Sequence, residues 1–251
     1  MLQEIFDRFA GAKSPPFLLV QHQQQATSSR VSSIDGTLSA MNEGAELVEW
    51  RFFLPATEHL DPASIEAVEA FDTLAAGVIP AEPERRCDVY VTCDETCGIK
   101  HRGKSKLEIK LRGSKHQDEG GISENYTKTK FGKGATLAMA AQHLQEKGLL
   151  TENLAARLQD PVHVTTEKEV RKGERPAPSG PLVLEKTGLV VSRGQPPHDL
   201  PGAKWLTFSV EGARDDVCHF IRAEGRTLQH LVKHDKAVVG GYPTFVQHIA
   251  R

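Results

Sequence analysis

Between Glu46 and Leu54 the chain alternates without a break: Val48, Trp50, Phe52 and Leu54 share one face, Glu49 and Arg51 the other. A period of two with one apolar side predicts a half-buried β-strand. Asp61-Pro62 then offers an N-cap and a proline at the first helical position. Ile65, Val68, Phe71 and Leu74 recur at helical spacing until Gly77 ends the run. Val89 and Val91 predict a short strand, and Ile99–Arg102 another. Leu107–Arg112 is the clearest, with Leu107, Ile109 and Leu111 opposite Glu108, Lys110 and Arg112. The Gly- and Lys-rich stretch from Gly113 to Gly134 reads as a long mobile loop. Helices are predicted over about 135–147 and 151–159, the second started by Thr151 with Glu152 in its first turn. Strand patterns return at Val162–Arg171, Leu182–Val191 and Trp205–Glu211, separated by the turn sequences Pro176–Gly180 and Gly194–Gly202. A last helix over about 214–234 carries Val217, Phe220, Ile221, Leu228, Leu231 and Val232 on one side.

The first forty or so residues follow no such pattern. Gln21–Gln25 is broken only by His22, and Ser28, Ser29, Ser32 and Ser33 follow. Sequence this polar buries too little surface to offset the entropy of ordering. Residues 1–43 are therefore expected to be a polar N-terminal extension and 44–251 the folded domain. Thirty-one Lys and Arg against 33 Asp and Glu leave a net charge of −2, which excludes a histone-like polycation. No run approaches the roughly 20 apolar residues of a membrane span. Met1–Ala12 carries Glu4, Asp7 and Arg8 with no basic lead into an apolar segment, so a secretory signal is not expected and the cytoplasm is. Cys87, Cys93, Cys97 and Cys218 are too few for a disulfide framework.

The unusual feature is the second face of each strand. Glu49 and Arg51, Lys100 and Arg102, Glu108 with Lys110 and Arg112, and later Glu185 and Glu211 are ionic where varied polar residues are usual. From Gly98 to Lys115 there are seven Lys and Arg against one Glu. Two arrangements account for this. Either these faces meet solvent, or the sheet closes with them inside and the apolar faces outward beneath helices. An interior lined with unpaired charge is costly. A polyphosphate would compensate the cations, and a hard divalent cation would bridge its oxygens to the carboxylates.

Glu49-Trp-Arg51, Gly98-Ile-Lys-His-Arg102, Leu107-Glu-Ile-Lys-Leu-Arg112 and Phe208-Ser-Val-Glu211 together resemble the CYTH superfamily of triphosphate tunnel metalloenzymes. The likeness is nearest to its uncharacterised CYTH-like members and spans about residues 46–245. It implies an α+β fold: an antiparallel eight-stranded tunnel-like β-barrel with a charged lumen, flanked by several α-helices. It also implies hydrolysis of an inorganic or organic triphosphate with Mg²⁺ or Mn²⁺. Carried over by position, Arg51, Lys100, Arg102, Lys110, Arg112 and Lys168 would bind phosphates. Glu49, Glu108, Glu185 and Glu211 would hold metal, with Glu49, Glu211 and Lys110 nearest the chemistry. One departure stands out: the family motif is Glu-x-Glu-x-Lys, and this chain has Leu47 at the first glutamate and Arg51 at the lysine. Glu46 falls on the Val48–Trp50 face and does not replace it. That departure keeps open a second function, an inactive polyphosphate- or nucleotide-binding protein of the same fold.

Other candidates are weaker. Cys93, Cys97 and His101 are spaced by four and lack the second ligand pair of a structural zinc site. Gly132-Lys-Gly134 lacks Walker spacing. Lys128, Lys130 and Lys133 beside Tyr126 and Phe131 are read as a solvated loop rather than an RNA contact, so the expected partner is a small triphosphate or polyphosphate, with no nucleic acid and no membrane. His219, His230 and His234 are read as surface or boundary residues, and oligomeric state leaves no mark on the sequence.

Overall fold

Alternation of this kind settles its own geometry once the strands pair. The protein is described from a computed structural model, which covers residues 46–56, 62–75, 78–79, 82–91, 94–102, 106–118, 121–194, 202–223 and 237–251. The expected extension, residues 1–43, lies outside the described residues. The elements run β1 (Leu47–Pro55), α1 (Pro62–Ala75), β2 (Glu84–Val91), β3 (Cys97–Arg102), β4 (Lys106–Asp118), β5 (Gly121–Phe131), α2 (Leu137–Glu146), α3 (Glu152–Gln159), β6 (His163–Arg175), β7 (Leu182–Arg193), β8 (Ala203–Ala213), α4 (Arg214–Ala223), β9 (Val238–Val239) and α5 (Tyr242–Ala250).

The strands are ordered β5-β4-β3-β2-β6-β7-β8-β1, and β1 pairs back onto β5 at Glu49–Glu124 and Trp50–Ser123. Every pairing is antiparallel, so the sheet closes into an eight-stranded barrel, with β9 adding to β1 at Phe52–Phe53. Closure leaves no edge along the barrel wall. This is the architecture that the resemblance implied.

The apolar faces point outward under helices. Val48, Trp50, Phe52 and Leu54 of β1 and Leu206, Phe208 and Val210 of β8 pack against Val68 and Phe71 of α1 and Val217, Phe220 and Ile221 of α4. On the other side Ile99, Leu107 and Ile109 pack against Ala140 and Leu144 of α2 and Leu154 and Leu158 of α3. Thr136 and Thr151 cap those two helices, their hydroxyls accepting from the backbone N–H groups of Met139 and Leu154. Each large side chain buried this way contributes about 1.5–3 kcal/mol. The ionic faces are consequently inside, and solvent exposure of the charged strands is excluded.

Two expectations are corrected. The stretch 113–134 is not a loop: β4 continues to Asp118 and pairs with β5, with a bulge where Arg112 opposes Tyr126 but Lys115 opposes Glu124. Residues 127–130 of β5 alternate between Thr and Lys, which gives no apolar face to recognise there. The helix predicted to 234 is described only for Arg214–Ala223, and residues 224–236 lie outside the described residues. The chain then adds a short strand and α5, which sequence patterning did not reveal. Among the described residues no helix is long and apolar enough to cross a membrane.

Candidate functional site

Strand pairing sorts the lumen residues by register. Glu49 and Arg51 on β1 oppose Glu211 and Ser209 on β8, and Ser209 opposes Glu185 on β7. On the far wall Asp88 opposes Arg102, Tyr90 opposes Lys100, Lys100 opposes Glu108, and Lys110 opposes Lys128. Arg86 of β2 opposes Lys168 of β6. All ten residues that the sequence singled out thus face one enclosed space. Arg86, Asp88, Tyr90, Glu124, Tyr126 and Lys128 join them. Arg86, Asp88 and Tyr90 were open to recognition, because they alternate with Cys87, Val89 and Val91.

The charges form two connected groups. In the first, Arg51 donates through Nε to Glu49 at 2.8 Å and through Nη1 to Glu185 at 3.0 Å, while the Lys110 ammonium donates to the second Glu49 oxygen. Burial opposes ionisation of Glu49, yet Lys110, Arg51 and Lys128 hold its carboxyl well below the usual range. Glu185 is likewise pulled down to about 2, Arg51 and Arg86 overcoming its burial. In the second group Asp88, fully buried, sits among four cations: Lys168 at 3.1 Å, Lys100 and Arg102 at 3.4 Å, and Arg86 at 3.8 Å. Lys100 also reaches Glu108 at 3.2 Å. Glu84 lies 3.7 Å from Arg86, so three carboxylates share the four cations and an excess of one positive charge remains around Asp88. Burial depresses the Lys168 ammonium well below its ordinary range even so, and Lys168 donates to the Tyr90 hydroxyl at 2.7 Å.

Exposure falls in one direction along the lumen. The side chains of Lys128 and Arg102 are 41% and 37% exposed, Arg86 19%, Lys110 13% and Lys100 12%, while Lys168 and Asp88 are sealed at 0%. The open end therefore lies at Lys128, Arg102 and Glu211. At the other end Phe53, Tyr90, Val164, Leu189 and Trp205 meet Tyr242, Phe245 and Val246 of α5 in an apolar cluster.

The residues expected to hold a divalent cation divide unequally. Glu49 and Glu211 are direct cross-strand partners, whose side chains leave the sheet about 5 Å apart. Glu108 is held by Lys100 and Glu185 by Arg51. Among the described residues no group of three or more His, Cys, Asp or Glu is placed to hold a metal, and Cys93 of the zinc reading lies outside them. Two carboxylates on one wall suit Mg²⁺ or Mn²⁺ completed by phosphate oxygens and water, but not a cage made by the protein alone.

No protein-family model matches the chain, and no curated protein matches it. Among solved structures it is similar to HpAC1 from Hippeastrum, described as a candidate adenylyl cyclase with a dominant triphosphatase activity. That likeness has a TM-score of 0.36 and 11% identity, over 82% of this chain and 96% of that one. The fold assignment rests on this chain's own strand pairing.

Proposed function

We propose that the barrel binds a triphosphate-bearing compound, inorganic or organic, and hydrolyses it to release phosphate. The observation that carries this reading is the cluster of Arg86, Lys100, Arg102 and Lys168 around Asp88, which Glu84 and Glu108 leave one positive charge in excess, continued toward the mouth by Lys110 and Lys128. A buried surplus of cations is stable only with an anion to share it, and a chain of phosphates supplies several negative charges at the spacing of neighbouring side chains. Arg102, Lys100, Arg86, Lys110 and Lys128 bind the phosphates. Arg51 is committed to Glu49 and Glu185 and orients those carboxylates.

Glu49 and Glu211 would hold Mg²⁺ or Mn²⁺, which supplies charge neutralisation at the phosphate oxygens and orientation of water. Phosphoryl transfer needs little beyond such positioning and charge compensation. The step consumes one water, breaks the terminal P–O bond and leaves inorganic phosphate and a diphosphate.

Phosphate release from tripolyphosphate with Mg²⁺ or Mn²⁺ tests the reading. Lys110→Ala and Glu211→Gln are expected to lower the rate by about a hundredfold, as loss of a charged transition-state contact does. Wild-type protein that neither releases phosphate nor binds tripolyphosphate in a calorimeter would overturn it. A second reading, anion binding without turnover, is favoured by Leu47 at the family's first glutamate and by the two cations that occupy Glu49. Tight binding with no phosphate release selects it.

A further inference from the structure

Lys110 and Lys128 stand directly opposite each other on β4 and β5. Like charges so placed repel. Two partners of the Lys110 ammonium offset that repulsion. It donates to Glu49, and it lies 3.8 Å from the centre of the Tyr126 ring. Tyr126 opposes Arg112, which makes it the diagonal neighbour of Lys110 on the lumen side of the sheet, at a separation that an aromatic side chain spans.

The ring is fixed at its far end. The Tyr126 hydroxyl donates to Glu124, which is 1% exposed and also lies 2.7 Å from Nη2 of Arg112. Gly241 leaves room for it, since a Cβ there would collide with the hydroxyl. Burial and the Glu124 carboxylate push the phenol far above its usual range, so it stays a neutral donor and carries no proton to or from the lumen. What it offers Lys110 is the face of its ring.

Apolar packing does not account for an aromatic residue here. Tyr90 and Tyr242, whose rings carry Lys168 at 4.8 and 3.5 Å, belong to the apolar cluster at the far end of the lumen. Among the described residues Tyr126 belongs to none of the three apolar clusters. Its ring face meets an ammonium instead. Glu49 is already shared with Arg51, whereas a ring attracts a cation without neutralising it.

Resting on the triphosphate reading, we propose that Tyr126 is a positioning residue for Lys110. Its ring is a second seat for the ammonium, which holds it off Lys128 and aimed into the lumen when an incoming ligand takes Glu49 from it. The phosphate chain then meets a cation that is fixed in place and still carries its full charge.

A double-mutant cycle tests this, read by calorimetry on the full chain with tripolyphosphate and Mg²⁺ as the probe. Tyr126→Leu should weaken binding by about tenfold, and Tyr126→Phe, which keeps the ring, should recover most of that loss. In the Lys110→Ala background Tyr126→Leu should cost less than about twofold more, because the cation it serves is gone. Ring-fluorinated phenylalanine at position 126 keeps the shape but depletes the negative face of the ring. It should bind about threefold more weakly than Tyr126→Phe, and it reads the same contact if Tyr126→Leu fails to fold. An equal loss from Tyr126→Leu in both backgrounds, or no effect of fluorination, overturns the proposal. Tyr126→Phe as weak as Tyr126→Leu does so too, because it assigns the effect to the hydroxyl. Absence of tripolyphosphate binding in wild-type protein is a different result, and removes the triphosphate reading itself.

Discussion

Glu49 and Glu211 are cross-strand partners on β1 and β8, and their cations, Lys110 and Lys128, are cross-strand partners on β4 and β5. Two acids side by side thus face two lysines side by side. A divalent cation arriving alone must displace those lysines without giving them another anion. Mn²⁺ binding, followed by electron paramagnetic resonance, is therefore expected to be weak in the free protein. Tripolyphosphate should strengthen it by about tenfold or more, by taking over the lysines. Glu211→Gln should remove that enhancement. Tight Mn²⁺ binding without phosphate would mean that the lysines do not guard the carboxylates.

Asp88 gives a second expectation. Asp88→Asn keeps the shape but leaves Lys100, Arg102, Arg86 and Lys168 without their shared carboxylate. Stranding buried charge typically costs about 3–5 kcal/mol, readable as a shift in the urea midpoint. Tripolyphosphate at a thousand times its Kd should return about 4 kcal/mol by mass action. A variant as stable as wild type would show that Asp88 does not hold the cluster together.

What could be read in advance divides along a physical line. β1, β3, β4, β7 and β8 announced themselves because one face of each is apolar and buried under a helix, as with Ile99, Leu107 and Ile109 beneath Leu144. The lumen residues on those strands followed by parity. β5 was missed because Thr127 and Thr129 stand where apolar residues would have marked a strand, and with it went Glu124 and Lys128. The role of α5 was hidden for another reason. Its nine residues were not read as a helix, and nothing local says that they fill the end of a barrel whose walls come from Phe53, Tyr90 and Trp205. Closure is a property of register, and register is set by pairings between residues far apart in sequence.

Packing on the outer wall should be separable from the lumen. Leu144 is fully buried between α2 and the β3–β4 face. Leu144→Ala is expected to cost about 2–5 kcal/mol of stability, with tripolyphosphate affinity unchanged below the melting transition. A change in affinity would couple α2 to the lumen.

Acid should open the protein from inside. The folded-state pKa of Glu185 is about 2 against an ordinary 4.5. Because it is depressed, its contribution is complete above about pH 4.5 and is lost as pH falls toward 2. Carried through linkage this is about 3 kcal/mol, and Glu49 and Glu108 shift in the same direction. The urea midpoint should therefore fall steeply between pH 5 and about 2. Glu185→Gln, less stable at neutral pH, should show a shallower slope across that window. Parallel slopes would place the acid sensitivity elsewhere.

Leu47 decides between the two functional readings. It lies two residues before Glu49 on the inward parity of β1, opposite Ala213 near the mouth, and is only partly buried. A glutamate there could keep its carboxylate hydrated, so Leu47→Glu should cost little stability, about 1 kcal/mol or less. It would give the mouth a third acid beside Glu49 and Glu211, and the one with no arginine or lysine already bound to it. If turnover is held back by the missing ligand, phosphate release from tripolyphosphate with Mn²⁺ should rise by about tenfold or more, with Mn²⁺ affinity rising alongside it. An increase in Mn²⁺ affinity with no gain in rate would instead show that Glu49, tied to Arg51 and Lys110, is the group that limits hydrolysis. Glu49→Gln would then leave the residual rate unchanged, whereas a working metal ligand would abolish it.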